Sequence, residues 1–311
     1  MAVVLQELFG DRGFRVLEVV SPVEFEGAAS ACRRSPYVGL DVETTGLDPH
    51  RDKVRLLQLA VPGLVYVVDL WRSGLVPGVR ELLADRRVLK LMHHGAFDLK
   101  FLRALGVRDV APVADTMLAA QLLACGLPRE SFGLGAVVRE YLGLELDKSL
   151  ASSDFSGALS SGQILYAAWD AAVLIPLWQA LSGKLAELGL KKAAALEFGC
   201  LPAVADMEYA GILLDLDAWG ALGRELVRER DVLRECLARE LVLPGTEDLF
   251  GARRPANPNS PEQVKVALAG LGIDVSDTRE STLKAVAGGH PVVQLLLRCR
   301  GLEKLISAFI E

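Results

Sequence analysis

YVGLDVETTGLDPHRDKVRLLQLAVPGLVYVVDL (37–70) decides the fold. It breaks into three runs rich in Val, Leu and Tyr: YVGLDVET (37–44), VRLLQLAV (54–61) and LVYVVDL (64–70). Gly, Pro and Asp separate them, so three successive strands are expected as antiparallel neighbours. Upstream, RVLEVV (15–20) reads as a strand, and Ser21-Pro22 as an N-cap and first-turn proline opening a helix to about Arg34. Downstream, VLKLMHH (88–94) reads as a strand followed by a helix from about Ala96 to Leu105. Helices are then expected over roughly 114–123, 132–142 and 161–188, the last bent at Pro176. This pattern predicts an α/β unit, a mixed sheet flanked by helices.

From Ala193 the strand signals nearly vanish. A helix over 193–209 leads through GILLD (211–215) into a long charged helix over about 217–242, a loop over 243–260, and three helical segments. The expected boundary lies near residue 190, giving domains 1–190 and 191–311. Two domains also suit a 311-residue chain with 51% apolar residues.

No run reaches 18 consecutive apolar residues, and the N-terminus lacks a basic stretch ahead of an apolar one. Neither a membrane span nor a secretory signal is expected. Five scattered cysteines suit a reducing, cytoplasmic setting. Net charge is −6, with 19 basic and 22 acidic residues in 1–190 and 15 and 18 in 191–311. Neither half has the excess needed to hold duplex nucleic acid by phosphate neutralisation alone. A nucleic-acid role must therefore rest on local sites or metal ions.

The acidic residues are informative by position. Asp41 and Glu43 stand at i and i+2 on a strand, so both face one side of a sheet. Like charges there are unfavourable unless the strand end meets solvent or a divalent cation neutralises them. Asp98 lies at the start of a helix directly after a strand, where the helix dipole alone would favour it. In YAAWD (166–170), Tyr166 and Asp170 share a helix face one turn apart, which by itself implies only a local hydrogen bond. His93 and His94 lack a third ligand at zinc spacing.

Taken in order, DVETTGL (41–47), HHGAFDLKFL (93–102) and LDKSLASSDFSGALSSGQILYAAWD (146–170) resemble the three motifs of the DEDD-type 3′→5′ exonucleases, in the subgroup whose third motif is Tyr-x-x-x-Asp. The resemblance covers about residues 15–190 and implies a ribonuclease H-like mixed sheet. It implies that Asp41, Glu43, Asp98 and Asp170 bind two divalent ions, Mg²⁺ or Mn²⁺, and that these four with Tyr166 form the catalytic set. Asp41 would bridge both ions, Glu43 and Asp170 would hold the water-activating ion, and Asp98 would anchor the second through water. Tyr166, with an ordinary phenol pKa near 10, is a poor base and would orient the water. Thr44, Leu47, His94 and Phe97 fall at substrate-binding positions. Leu47 corresponds to an apolar wedge against the terminal base, or else is a turn leucine closing over the core. His94 departs from the asparagine usual in the second motif, which puts its substrate contact in question.

In the second part, EFGCLPAVADMEYAGILLDLDAW (197–219), ANPNSPEQVKVALAGLGI (256–273) and HPVVQLLLRCRGLEKLISAF (290–309) resemble the opening and thumb of family A, polymerase I-like DNA polymerases. No palm or fingers sequence is recognisable, so the chain is expected to be an exonuclease domain with a truncated, mostly helical thumb region. The function this implies is a proofreading 3′→5′ exonuclease that takes a single-stranded or frayed DNA end and releases nucleoside 5′-monophosphates. Duplex product would meet the thumb, and no membrane partner and a monomeric state are expected. Two alternatives stand beside it: a ribonuclease D-like exoribonuclease, and a non-catalytic DNA-holding module.

Overall fold

The computed structural model describes residues 13–74, 77–127, 131–147, 149–150, 153–247 and 253–310. Lys148, Ala151 and Ser152, in the run before the third motif, and the N-terminal stretch through Arg12 lie outside the described residues. The chain divides into two compact units, Met1–Gly211 and Ile212–Glu311.

In the first unit the elements run β1 (Arg15–Val19), α1 (Pro22–Arg33), β2 (Tyr37–Thr44), β3 (Val54–Val61), β4 (Leu64–Asp69), α2 (Leu70–Ser73) and α3 (Pro77–Ala84). They continue with β5 (Leu89–Met92), α4 (Gly95–Ala104), β6 (Val113–Asp115), α5 (Thr116–Ala124), α6 (Leu134–Leu142), α7 (Ser161–Ala172), α8 (Leu174–Glu187) and α9 (Lys191–Ala210). The six strands form one sheet in the order β1-β4-β3-β2-β5-β6. Strand β3 is antiparallel to β2 and β4, and the remaining pairs are parallel.

The period-2 alternation sorts side chains to two faces. Leu40, Val42, Leu57 and Leu59 bury on one face with residues of α1 and α4. Leu56, Ala60, Val65 and Val67 bury on the other with Ala167, Ala168 and Ala171 of α7 and much of α8. Each fully buried leucine contributes about 1.5–3 kcal/mol. Asp41 and Glu43 therefore point from β2 toward α7, the same way as Gln58 of β3. Helix α7 comes so close that a methyl group at Gly39 would collide with the carbonyl oxygen of Ala171. Only glycine admits this approach, and it brings Asp170 down beside the Asp41 strand.

Several expectations need correction. The helix expected from 114 begins at Thr116, because Val113–Asp115 pairs with β5 as a sixth strand. The long helix is broken rather than bent. Pro176 has no N–H for the carbonyl of Ala172, and α7 ends at that residue. The run Ser161–Glu187 is long and apolar enough to cross a membrane by length and composition, but its alanine face is core. The first compact unit extends beyond residue 190 to Gly211, since α9 supplies Phe198, Leu201 and Ala205 to its core. Lys100–Glu208 (2.8 Å) and Arg103–Asp206 (2.6 Å) further tie α9 to α4.

The second unit holds α10 (Leu216–Glu240), β7 (Val242–Glu247), β8 (Arg253–Pro255), α11 (Pro261–Gly270), α12 (Glu280–Val286) and α13 (Pro291–Phe309). Residues 211–215 form no strand, and Asp215 is the N-cap of α10, accepting from the backbone N–H of Ala218 at 2.9 Å. Part of the expected 243–260 loop is a two-stranded ribbon, β7 with β8. The core is built from Leu233, Leu237, Leu241, Val264, Leu268, Val293, Leu296 and Cys299.

Candidate active site

The C-terminal end of β2 lies between α7 on one face of the sheet and α4 on the other. Asp41 and Glu43, both half-buried, project on the α7 side, paired in register with Gln58 and Leu56. Asp98 approaches from α4, 3% exposed, and accepts a hydrogen bond from the backbone N–H of Val42, between those two acids. Burial pushes the Asp98 carboxyl well above the ordinary aspartate range, with the charges of Asp115 and Glu43 adding to the shift against the Val42 bond.

Tyr166 hydrogen-bonds Asp170 one turn on, so the local pairing read from YAAWD exists. It is not the whole of their surroundings. The Tyr166 hydroxyl is pushed far above the usual phenol range by burial first and by Asp170, with Glu43 and Asp41 contributing. In the metal-free chain it is therefore a donor to Asp170. Asp41, Glu43, Asp98, Tyr166 and Asp170 are thus gathered by three elements that are remote in sequence.

The four predicted substrate positions lie on the two segments beside the acids. The Thr44 hydroxyl donates to the carbonyl of Gly46 at 2.6 Å and shapes the turn after β2. Leu47, on that turn, is 83% exposed, so it does not close over the core. His94 is exposed and begins α4 with φ of 59°, in the left-handed region. Phe97 is half-buried against Phe101, with ring centroids 4.9 Å apart. A cavity of about 430 Å³ opens beside Tyr166 and Asp170, lined also by Leu146, Leu150, Leu165 and Trp169.

Sequence reasoning missed Asp115. Fully buried, it accepts from the N–H groups of Gly95 (2.6 Å), Met117 (2.7 Å) and Leu118 (3.0 Å). It caps α5 and also fixes the first residue of α4, three positions before Asp98. A side chain at Gly95 would press on Met92, so this junction needs glycine. Thr116 completes it, donating to the carbonyl of Met92 at 3.1 Å and contacting His93 Nδ1 at 2.9 Å. The available signal was Asp-Thr ahead of an apolar helix, which reads as a cap and nothing more.

Among the described residues, no three acidic, histidine or cysteine side chains already stand as a ready metal-ligand set. Clustered carboxylates repel, and a divalent cation is what would draw them together. The Asp98 carboxyl, raised by burial first and then by the charges of Asp115 and Glu43, would ionise more readily beside such a charge. The all-oxygen donor set fits a hard ion such as Mg²⁺ or Mn²⁺.

Comparison with known proteins matches residues 18–186 to a family model described as 3′-5′ exonuclease. The chain is 37% identical over 175 residues to DNA polymerase I of Aquifex aeolicus, covering 55% of this chain and 28% of that protein. It therefore spans little more than a quarter of that relative's length. It is 26% identical over 293 residues to ribonuclease D of Gluconacetobacter diazotrophicus, covering 88% of this chain and 71% of that one. A solved POL domain of Pol1 from M. smegmatis, in complex with DNA primer-template and dNTP, superposes with a TM-score of 0.71 at 21% identity. That match covers 94% of this chain and 49% of the other, a likeness of fold.

Proposed function

The chain belongs to the 3′-5′ exonuclease family, of the DEDD type, and on that premise we propose that it removes nucleotides from single-stranded or frayed DNA 3′ ends as the proofreading part of a polymerase I-like enzyme. The family is metal-dependent. The observation that carries the proposal is the convergence of Asp41, Glu43, Asp98 and Asp170 with a protonated Tyr166 at the end of β2.

In this reading Asp41, Glu43, Asp98 and Asp170 hold two divalent ions. Such ions polarise a phosphodiester, lower the pKa of water and neutralise the leaving oxygen. The oxygen of a water adds to the terminal phosphorus, the P–O3′ bond breaks, the leaving 3′ oxygen takes a proton, and a nucleoside 5′-monophosphate departs. Tyr166 is not the base in this reading: its hydroxyl, which donates to Asp170, accepts a hydrogen bond from the attacking water and so positions it. The turn carrying Thr44 and Leu47 presents an exposed apolar side chain to the terminal base. Phe97 and His94 flank the strand, and the largely apolar cavity beside Trp169 suits a nucleobase freed from its stack.

The second unit, in this proposal, is the opening of a polymerase thumb. Its likeness in fold to the M. smegmatis POL domain supports this. One observation favours a ribonuclease D-like reading instead: the match to that enzyme extends over 88% of this chain and most of the enzyme's own length. A 3′-labelled single strand, made as matched DNA and RNA and incubated with Mg²⁺, Mn²⁺ or chelator, tests both. Faster release of labelled mononucleotide from DNA supports the first reading, faster release from RNA the second. Metal-independent release, or none, removes both.

A further inference from the structure

Gln58 sits in the middle of β3, is 0% exposed, and leaves both its amide nitrogen and its amide oxygen without a hydrogen-bond partner. A buried polar atom left unpaired is destabilising, and such atoms call for an explanation. Its surroundings narrow the choice. In the antiparallel register Gln58 stands directly opposite Asp41 on one side and Val67 on the other. Directly opposed residues share a face, with Cβ atoms about 4.5–5.5 Å apart. The rest of that face is apolar, made by Leu56, Ala60 and Val65 with the alanines of α7. Beside Gln58 on this face, β2 offers the carboxylates of Asp41 and, diagonally, Glu43.

We infer that Gln58 is a positioning residue whose carboxamide orients the Asp41 carboxylate in the metal-loaded chain. This rests on the reading of Asp41 as a metal ligand. A ligand carboxylate binds well only when its second oxygen is held by a donor of fixed direction. The Gln58 amide is such a donor: strand-borne, enclosed, and committed to no other group. An amide suits the task better than a cationic side chain, because it directs the carboxylate without competing with the cation for its charge. In the metal-free chain the amide is a source of instability. In the loaded chain, with Asp41 drawn into place, that cost is recovered as affinity.

The test uses Gln58→Met, of similar length and without polar atoms, and Gln58→Leu as an independent second variant. Two quantities are measured on the whole chain: melting temperature in chelator, and Mn²⁺ affinity from the paramagnetic resonance signal of free Mn²⁺. The expected result is a melting temperature at or above wild type in chelator, with Mn²⁺ affinity at least tenfold weaker in both variants. Wild-type affinity in either variant overturns the inference. So does a variant that melts lower or fails to fold, because the amide would then be satisfied in the metal-free chain. The same titration on Asp41→Ala separates the two claims. Undiminished Mn²⁺ binding there overturns the ligand assignment and this inference together, whereas weakened binding there with wild-type binding in Gln58→Met overturns this inference alone.

Discussion

Asp98 and Asp215 each stand at the start of a helix that follows an extended segment, and their settings differ in every other respect. Asp215 is exposed and accepts from the N–H of Ala218, as an N-cap should. Asp98 is almost fully enclosed, near Asp115 and Glu43, and its carboxyl is driven well up by that enclosure. The contrast extends to their units. In 212–311 the charges form exposed pairs, such as Lys284–Glu280 at 2.6 Å and Arg253–Glu247 at 2.8 Å. In the first unit, acids are brought together on elements the chain builds separately. A carboxylate that serves only a helix end sits where water supports it. A carboxylate held against other acids lowers stability, and its place in the fold is explained by what it binds.

The largest effect should separate these two aspartates outright. Asp98→Asn is expected to lower exonuclease rate by on the order of 10³-fold or more, the several kcal/mol that a well-held metal supplies to the transition state. Asp215→Ala should leave the rate unchanged and cost about 1 kcal/mol of stability. Single-turnover nuclease assays and denaturant melts of both variants check this, and equal rates in the two would erase the distinction.

Tyr166→Phe comes next. It should retain metal binding and lose about 100-fold in rate, the scale of a misplaced reactant. Wild-type turnover with chemistry limiting would remove the positioning role.

Asp115 sharpens the comparison from within the first unit, since it is both a cap and a buried acid. Asp115→Ala deprives three N–H groups of their acceptor and should cost about 2–4 kcal/mol. Asp115→Asn keeps one oxygen for the Met117 and Leu118 N–H groups and relieves the charge beside Asp98, but turns its NH2 toward the Gly95 N–H, so its melting in chelator should lie between the alanine variant and wild type. If the alanine and asparagine variants melt alike, the three hydrogen bonds are not what Asp115 contributes.

The pH dependence follows from the sign of the Asp98 shift. A carboxyl whose folded pKa is raised contributes stability that is complete below its unfolded value of about 3.9 and is lost as pH rises through the folded value. In chelator, wild type should therefore lose melting temperature relative to Asp98→Asn as pH rises above about 4. A difference that stays constant across that range would show the carboxyl ionising normally.

The smallest effect is expected at His94. Its left-handed backbone suits asparagine better than histidine, so His94→Asn should stabilise by about 0.5 kcal/mol and leave activity equal or higher. Destabilisation, or a fall in rate, would mean that the imidazole makes a contact of its own.

What the sequence made legible follows from period and spacing. The strands at 37–44, 54–61 and 64–69 announce themselves because β-branched and apolar runs are separated by turn residues. Asp41, Glu43, Asp98, Tyr166 and Asp170 were singled out by motif order, and the fold places them near one another. Strand β6 was hidden because three residues, Val113–Asp115, carry no periodicity and lead straight into a helix. That the first compact unit runs on to Gly211 was not legible, because α9 looks like any amphipathic helix. Which core it joins depends on Phe198, Leu201 and Ala205 finding partners far away in sequence. Gln58 was invisible for the same reason: a polar residue inside the apolar run LLQLAV acquires meaning only once the register sets it opposite Asp41.

The central claim is that the acids at the end of β2 form a metal-dependent nuclease site. Release of 5′-mononucleotides from a 3′-labelled single strand by wild type and by Asp41→Ala, each with Mg²⁺ or chelator and free of contaminating nuclease, tests it most directly. Stepwise release by wild type in Mg²⁺ alone, and none by Asp41→Ala in either condition, is the predicted result; full activity of Asp41→Ala in Mg²⁺ would contradict it.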